Sequence, residues 1–312
     1  MSTTTAAVPA SRLLAYFRLA KLTFYDYYLA APVVWTLLPA AQRDDGRVLG
    51  TLLAATLGWV AMTAATVAFD DVHGYRDGSD HTNYDPAQSL RNRARKPLIN
   101  GDLTERQAVR FGYAALITAV IWLGIAAALA PERSGWVLAL IPFQVAISVQ
   151  YAYGLRLSYR GCQELVLLAS PGLMALIPYG LIHGELSGAI ILEAFLIGLW
   201  SLLVSVYSNV NDRVGDKAAG RRNLATTLSP SAYRIAIVLL SLAETAALLV
   251  AWAAGAVPAS FLAWMLLPLA MRARQLGAGI VRGDALRARK LGVDTHRIGV
   301  AALLAANLLV LS

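Results

Sequence analysis

The sequence predicts an all-α integral membrane protein, a bundle of nine transmembrane helices with the N-terminus in the cytosol. Composition is the first indication. Of the 312 residues, 57% are hydrophobic and the mean hydropathy is +0.55, whereas soluble domains contain about 45–50% apolar residues. The second indication is that these residues gather into runs close to the roughly 20 residues that cross a bilayer as a helix. Since backbone groups in lipid must be paired internally, each run is expected to be helical.

Nine apolar runs follow a polar to amphipathic segment at residues 1–21. In a polytopic membrane protein the bundle is itself the domain, so residues 22–312 are expected to form a single transmembrane unit and residues 1–21 a cytosolic segment. The eighth run is the shortest and is the weakest candidate for a span. The runs lie at about residues 22–41, 49–71, 108–130, 135–154, 162–183, 187–209, 231–254, 257–271 and 295–311.

Basic residues are distributed unevenly between the two ends of the runs. Of the 27 Lys and Arg residues, all except Arg43, Arg47 and Arg133 lie in the N-terminal segment or after the second, fourth, sixth and eighth runs. The positive-inside rule therefore places these parts in the cytosol, with the chain in the cytoplasmic membrane. The net charge of +8 is compatible with a nucleic-acid partner, but the charges separate runs too long for soluble helices. We therefore expect membrane lipid, and no nucleic acid, around this chain.

Two polar segments, at about residues 70–106 and 209–230, follow the second and sixth runs at the predicted cytosolic face. Each begins with carboxylates at the end of an apolar helix and continues with cations a short loop away. The first contains Asp70, Asp71, Asp77, Asp80 and Lys96, and the second contains Asn209, Asp212, Asp216, Lys217, Arg221 and Arg222. This arrangement suits a metal–diphosphate ligand, since carboxylates bind the metal and cations bind the phosphates.

Helical spacing brings the oxygen-bearing side chains of each segment together. Asn209, Asp212 and Asp216 are spaced i, i+3 and i+7, so they share one helical face. Two carboxylates and an amide oxygen suit Mg²⁺, which takes water and phosphate oxygens as its remaining ligands. In the first segment Asp70 and Asp77 share a face with a glycine at which the chain can bend. The sequence therefore predicts a Mg²⁺ site with two acidic halves.

The order of residues in both segments has a counterpart in a known family. Residues 209–216 read N-x-x-D-x-x-x-D, where the family has D-x-x-D-x-x-x-D. Residues 70–80 follow N-D-x-x-D-x-x-x-G-x-D, with Gly74 in place of an Asp for which the nearby Asp77 is expected to compensate. Residues 96–101 and 153–164 are similar to its R-P-L-x-x-G segment and to the loop before its fifth helix. The chain thus resembles the UbiA superfamily of intramembrane prenyltransferases, with motifs closest to the menaquinone-type branch.

The resemblance implies a nine-helix bundle over a lipid-open cavity and a reaction that begins with Mg²⁺-dependent ionisation of an isoprenyl diphosphate. Most members then transfer the prenyl group to a lipophilic, often aromatic, acceptor. A minority are terpene cyclases, in which the substrate's own double bonds attack the cation, and this alternative stays open.

The resemblance also assigns roles to individual residues. Catalysis is assigned to the carboxylates of the metal set. The implied metal ligands are Asp70, Asp71, Asp77, Asn209, Asp212 and Asp216. The implied diphosphate ligands are Lys96, Arg156, Lys217, Arg221 and Arg222.

Overall fold

The computed structural model describes residues 12–22, 27–85 and 92–311, and within these ranges the chain is helical with no β-strand. Thirteen α-helices are formed, and π-helical turns at Gly277–Val281 and Asn307–Leu311 extend the last two. The helices are α1 Arg12–Leu19, α2 Ala30–Leu37, α3 Ala40–Arg43, α4 Gly46–Arg76, α5 Ser79–Asn83, α6 Glu105–Leu129, α7 Gly135–Val149, α8 Gln163–His183, α9 Gly188–Ala218, α10 Leu224–Thr227, α11 Pro230–Ala253, α12 Ala259–Leu276 and α13 Ala285–Ala306.

Among the described residues, six helices are long and apolar enough to cross a membrane, namely α4, α6, α8, α9, α11 and α13 with its π-helical extension. This confirms an integral membrane bundle. The other three predicted runs contain α2 and α7, which are shorter, and α12, which carries Arg272 and Arg274 near its C-terminal end. Helix α2 ends before Pro39, because the residue preceding a proline disfavours the α conformation. Nine spans and a cytosolic N-terminus stay predictions.

The spans differ in how deeply they are buried. Within an apolar stretch of 18 residues in each helix, 67%, 61% and 72% of the residues are buried in α4, α8 and α9. The corresponding shares are 22% in α6 and 28% in α11. The first three therefore form the interior, and α6 and α11 face lipid. Helices α8 and α9 approach closely, since a Cβ added at Gly172 would lie 2.7 Å from the Ala194 carbonyl oxygen and one at Gly198 would clash with the Leu168 carbonyl oxygen. Small residues at such crossings are how membrane helices pack.

The length of α4 and α9 positions the polar segments. Each helix has 31 residues, or about 46 Å at 1.5 Å per residue, whereas the hydrocarbon core is about 30 Å thick. The last turns of both helices, which carry the carboxylates, therefore extend beyond the apolar layer.

Helix α1 ties part of the predicted N-terminal segment to the bundle. Ala15 and Leu19 are fully buried against α4 and the loop before α6. Residues 1–11 lie outside the described ranges, and the division of the chain at residue 21 stays a prediction.

Candidate active site

The carboxylate-bearing ends of α4 and α9 meet at a cavity of about 550 Å³, which is within the usual size range of ligand sites. Polar side chains from both acidic segments line one end, with Asp70 and Asp80 on one side and Asp212 and Asp216 on the other. Apolar side chains line the rest, among them Met62, Val67, Val166, Leu167 and Met174. The cavity therefore joins a charged mouth to an apolar interior.

Two lysines form a buried ion-pair cluster with the first acidic segment. Asp71, 1% exposed, accepts hydrogen bonds from Lys21 Nζ at 2.7 Å and from Lys96 Nζ at 2.8 Å. Lys96 also donates to Asp80 at 2.7 Å. Breaking such a pair is costly, because it leaves a buried charge without a partner. Asp71 thus holds the two lysines in place, while Lys21, Lys96 and Asp80 line the cavity.

Gly74 is where the first segment departs from the family pattern, and its missing side chain makes room for Asp80. A Cβ at Gly74 would lie 2.8 Å from Cγ of Asp80 and within 3.0 Å of both carboxylate oxygens. The turn that brings Asp80 back passes through Gly78, whose φ of 78° suits glycine. The carboxylate beside Gly74 is therefore that of Asp80. Asp77, the expected substitute, accepts instead from the Ser79 backbone N–H at 2.9 Å.

Arg221 connects the two acidic segments. Its Nη2 donates to Asp70 Oδ1 at 3.0 Å, its Nε donates to the Tyr159 hydroxyl at 3.1 Å, and Nε lies 3.9 Å from Asp216 Oδ1. A guanidinium presents several donors in one plane, which allows one side chain to contact α4, α9 and the α7–α8 loop together. Tyr159, in the α7–α8 loop, makes a second set of contacts, with Asp77 and Arg156.

The ring of Tyr159 contacts two guanidinium groups. The Cζ atoms of Arg156 and Arg221 are 4.2 Å and 4.8 Å from its ring centroid, within the range of cation–π attraction. Its hydroxyl donates to Asp77 Oδ2. Tyr159 therefore positions Arg221, while Arg156 reaches the site through this ring and does not line the cavity.

Amide side chains hold the second acidic segment. Asn223 Nδ2 donates to Asp216 Oδ2 at 3.1 Å and to Gln163 Oε1 at 3.2 Å, and Gln163 Nε2 donates to Asn209 Oδ1 at 3.2 Å. Asn83 Nδ2 lies 3.4 Å from Asp216 Oδ1. Asp216 and Asn209, two of the predicted metal ligands, are thus held in place by hydrogen bonds from amide side chains.

Burial and neighbouring charges shift the pKa values of groups beyond the spans. Burial raises the pKa of Asp80 to about 6, an effect that Asp71 reinforces and Lys96 only partly offsets. Burial also lowers the pKa of Lys96, but Asp71 and Asp80 outweigh it and hold that pKa well above its usual value. For Asp77, burial raises the pKa, and the hydrogen bond from Tyr159 contributes to a net lowering. The lysine therefore remains charged at neutral pH.

The chain matches a known family over most of its length. Residues 29–285 fit the model of the UbiA prenyltransferase family. The chain belongs to the UbiA prenyltransferase family. This confirms the resemblance drawn from the two acidic segments.

Two curated relatives match a smaller part of this UbiA-family chain. They are the protoheme IX farnesyltransferases of Clavibacter sepedonicus and of Clavibacter michiganensis subsp. michiganensis (strain NCPPB 382), 29% and 28% identical over 108 residues. Each match spans 34% of this chain and 33% of the relative. The chain therefore matches about a third of the length of these relatives.

Solved UbiA structures resemble the whole bundle. A UbiA homologue from Aeropyrum pernix K1 superimposes with a TM-score of 0.66 at 16% identity, covering 96% of this chain and 100% of that one. A homologue from Archaeoglobus fulgidus bound to DMAPP and Mg²⁺ gives 0.62 at 16% identity, covering 93% and 99%. At these identities the similarity establishes a UbiA fold.

The residues present fit a Mg²⁺ site that the ligand helps to complete. Asp70, Asp212, Asp216 and Asn209, which carry oxygen ligands, all line one cavity, and Mg²⁺ commonly binds one or two carboxylates together with water and phosphate oxygens. No group of three His, Cys, Asp or Glu side chains in the described ranges forms a metal site by itself. Phosphate oxygens would therefore supply the missing ligands.

Some predicted site residues do not line the cavity. Asp71 and Asp77 bind lysines and Tyr159 respectively. Lys217 and Arg222 are exposed and do not line the cavity. Their roles as metal or diphosphate ligands stay predictions.

Further cations, none of them among the predicted diphosphate ligands, also line the cavity. Lys21 and Arg95 come from the first half of the chain, and Arg289, Lys290 and Arg297 from α13. Spacings of seven and eight residues place Arg297 on the same helical face as Lys290 and Arg289. This signal was missed because α13 begins at residue 285, ten residues before its apolar run.

Proposed function

We propose that this protein is a Mg²⁺-dependent intramembrane enzyme that ionises an isoprenyl diphosphate and transfers the prenyl group to a lipophilic acceptor. The observation that carries the proposal is the single cavity in which carboxylates of α4 and α9, two paired cations and an apolar wall adjoin. The relatives named as protoheme IX farnesyltransferases and the homologue bound to DMAPP and Mg²⁺ support it. The positive-inside pattern supports an active site that faces the cytosol.

In this proposal the charged mouth binds the diphosphate. Lys96 and Arg221 lie in buried or largely buried positions, where they are paired with Asp71 and Asp70. These carboxylates help to hold the pKa values of both cations well above their usual values, so both cations are charged and suited to bind phosphate oxygens. Asp70, Asn209, Asp212 and Asp216 would hold Mg²⁺, which would supply the charge neutralisation that makes diphosphate a better leaving group.

The apolar part of the cavity then controls the fate of the prenyl group. The bond between C1 and the bridging oxygen breaks, and the electron pair leaves with diphosphate. The resulting allylic cation forms a bond to the acceptor, which then loses a proton. Met62, Val166 and Met174 are nearly fully buried where they line this part, and an apolar enclosure keeps water from the cation.

Turnover of purified protein tests the proposal. Protein, Mg²⁺ and geranyl, farnesyl or geranylgeranyl diphosphate are incubated with and without an aromatic acceptor, and pyrophosphate and extracted lipids are measured together. Acceptor-dependent pyrophosphate release with a prenylated product is expected. A cyclic hydrocarbon with matching pyrophosphate and no acceptor would instead establish the terpene cyclase alternative.

Replacement of the second-segment carboxylates tests the metal assignment. Asp212→Ala and Asp216→Ala are each expected to lower turnover on the order of 100-fold or more, since even residues that only orient metal ligands contribute about 10- to 100-fold. Asn211→Ala is a matched control, because Asn211 lies next to Asp212 but is exposed and does not line the cavity, and its side chain donates to the Tyr207 carbonyl. Full activity in either Asp variant would contradict the assignment.

A further inference from the structure

Helix α1 is apolar on two opposite faces. Its inner face, Ala15 and Leu19, is fully buried against the bundle. Leu13 and Phe17 each lie two residues earlier, which is about 200° of rotation on an ideal helix, and they are 68% and 47% exposed. We call Leu13, Leu14 and Phe17 the outer face of α1. A helix with apolar side chains on opposite sides is normally covered on both, so a partner is expected on the outer face.

The inner face shows the depth at which α1 lies in the protein. It packs in one cluster with Ala68 and Val72 of α4 and with Ala108 of α6. The apolar run of α4 ends at about residue 71, and that of α6 begins at about residue 108. Helix α1 therefore lies at the level where apolar sequence gives way to polar sequence, which is the boundary of the hydrocarbon layer in a membrane bundle.

A helix that faces lipid is the neighbour of α1 at this level. The rings of Tyr16 and Phe111 stack with their centroids 5.3 Å apart, and this contact joins α1 to the first turns of α6. Further along α6, Ile117 and Ile121 are 60% and 55% exposed, as suits a lipid-facing helix. Lipid that surrounds α6 therefore also lies beside α1.

Basic side chains accompany α1 at the same level. Arg12 and Arg18 belong to α1 itself, and Arg106 and Arg110 are exposed in the first two turns of α6. Arg18 lies 3.9 Å from Asp102, in the loop before α6. An apolar helix face accompanied by arginines is typical of a helix that lies in the plane of the membrane interface, where the cations stay among the headgroup phosphates.

Helix α1 leads directly into the cavity. Lys21 follows two residues after the helix ends at Leu19, lines the cavity, and donates from Nζ to Asp71 at 2.7 Å. The φ of Lys21 is 51°, a left-handed conformation that costs free energy in a residue with a side chain and persists only where the surrounding structure fixes it. The position of α1 therefore determines the position of a cation at the cavity mouth.

We propose that the outer face of α1 is a membrane-docking surface, inserted into the lipid interface at the end of the bundle that carries the active site, and that this docking positions Lys21. The second part rests on the proposed function, in which the charged mouth binds the diphosphate, and the first part does not. Leu13, Leu14 and Phe17 enter the boundary between headgroups and acyl chains. Lys21 is a positioning partner of this surface on the cavity side.

Spin labels test the docking. In a Cys162→Ser background, a nitroxide is attached at Leu13→Cys, Phe17→Cys or Arg160→Cys in the full chain, reconstituted in nanodiscs of phosphatidylcholine and phosphatidylglycerol. Oxygen partitions into lipid, so it is expected to collide with the labels at positions 13 and 17 more often than a water-soluble nickel complex does. The label at exposed Arg160, in the α7–α8 loop, should show the reverse.

Two results at positions 13 and 17 would overturn the docking. More frequent collisions with the nickel complex would mean that the outer face meets water. Few collisions with either reagent would mean that protein covers it, whether from this chain or from a second copy.

Binding of farnesyl thiodiphosphate with Mg²⁺ in the same nanodiscs tests the link to Lys21. The dissociation constant is expected to rise about 10-fold in the double variant Leu13→Ser/Phe17→Ser, which corresponds to the loss of one hydrogen bond to a charged group. Leu186→Ser is the matched control, since Leu186 is 40% exposed in the α8–α9 loop, at the ends of these helices farthest from the carboxylates. An unchanged constant in the double variant would overturn the link.

Lys21→Met shows whether the effect passes through Lys21. Asp71 keeps Lys96 as a partner in this variant. If α1 acts through Lys21, adding Leu13→Ser/Phe17→Ser to Lys21→Met raises the dissociation constant no further, whereas independent effects would multiply and overturn the link. Mg²⁺-dependent binding to the wild type is measured first. Its absence would overturn the proposed function and the link together, while the spin labels decide the docking separately.

Discussion

Position 74 shows how one absent side chain shapes the first acidic segment. Gly74 leaves space for the Asp80 carboxylate, which lies 2.8 Å from where a Cβ would be. We expect Gly74→Asp to alter the Mg²⁺ dependence of turnover by about 10-fold, because it adds a carboxylate while displacing Asp80. The measurement is the Mg²⁺ concentration that gives half-maximal activity.

Gly74→Ala is the matched control for that experiment. It displaces Asp80 by the same steric contact but adds no metal ligand, so it is expected to raise the Mg²⁺ requirement while Gly74→Asp reverses part of this rise. Identical Mg²⁺ titrations in wild type and both variants would show that position 74 does not influence the metal site.

Tyr159 makes two separable contributions to the position of Arg221. Tyr159→Phe removes the hydroxyl bonded to Asp77 and Arg221 but keeps the ring that contacts the guanidinium groups of Arg156 and Arg221. It is expected to lower turnover by about 10-fold, since hydrogen bonds to charged groups contribute about 1.5–3 kcal/mol. Tyr159→Leu also removes the ring and should lower it further. Steady-state kinetics of the three proteins would show this order, and equal loss in both variants would mean that the ring contributes nothing.

At the scale of elements, the close crossing of α8 and α9 fixes the distance between the cavity walls. A Cβ at Gly198 would clash with the Leu168 carbonyl oxygen, and backbone cannot rotate away. Gly198→Ala is expected to destabilise the protein by about 1–3 kcal/mol, which is typical of overpacking. The measurement is the unfolding midpoint in detergent.

Gly124 in α6 provides the comparison. A Cβ there meets nothing within 4 Å, so Gly124→Ala should keep or slightly raise the midpoint through its better helix propensity. A Gly198→Ala protein as stable as Gly124→Ala would show that the two helices can separate freely.

The sequence located the helices well and their ends poorly. From the second to the ninth, each apolar run contains a helix, because unpaired backbone is excluded from lipid. Hydropathy reports contact with lipid, however, and not helicity. Helix α4 therefore continues to Arg76, α9 to Ala218, and α13 begins at Ala285, all in polar sequence whose backbone hydrogen bonds simply carry on.

Local spacing predicts some contacts of the site residues and cannot predict others. Asn209, Asp212 and Asp216 share a helical face that local spacing reveals. The bonds from Arg221 to Asp70 and from Lys21 to Asp71 join residues 151 and 50 positions apart, and no local pattern encodes them. The position of Asp80 depends on a turn at Gly78, which spacing along an ideal helix cannot describe.

For the whole molecule, orientation in the membrane is the prediction with the widest consequences. In a Cys162→Ser background, single cysteines replace exposed Glu132, in the α6–α7 loop, and exposed Arg160, in the α7–α8 loop. In intact cells, a membrane-impermeant maleimide is expected to label only the first, because the positive-inside rule places Glu132 outside. Arg160→Cys should react after lysis. The reverse pattern would invert the topology and place the active site outside the cytosol.

The ion pairs at the cavity mouth have a consequence for the order in which ligands arrive. Arg221 is paired with Asp70, a predicted metal ligand, and Lys96 with Asp80, so the cations that would hold phosphate and these carboxylates neutralise one another. Metal alone would strand the cations, and diphosphate alone would strand the carboxylates. We therefore expect strong positive cooperativity, each ligand lowering the dissociation constant of the other by the same factor.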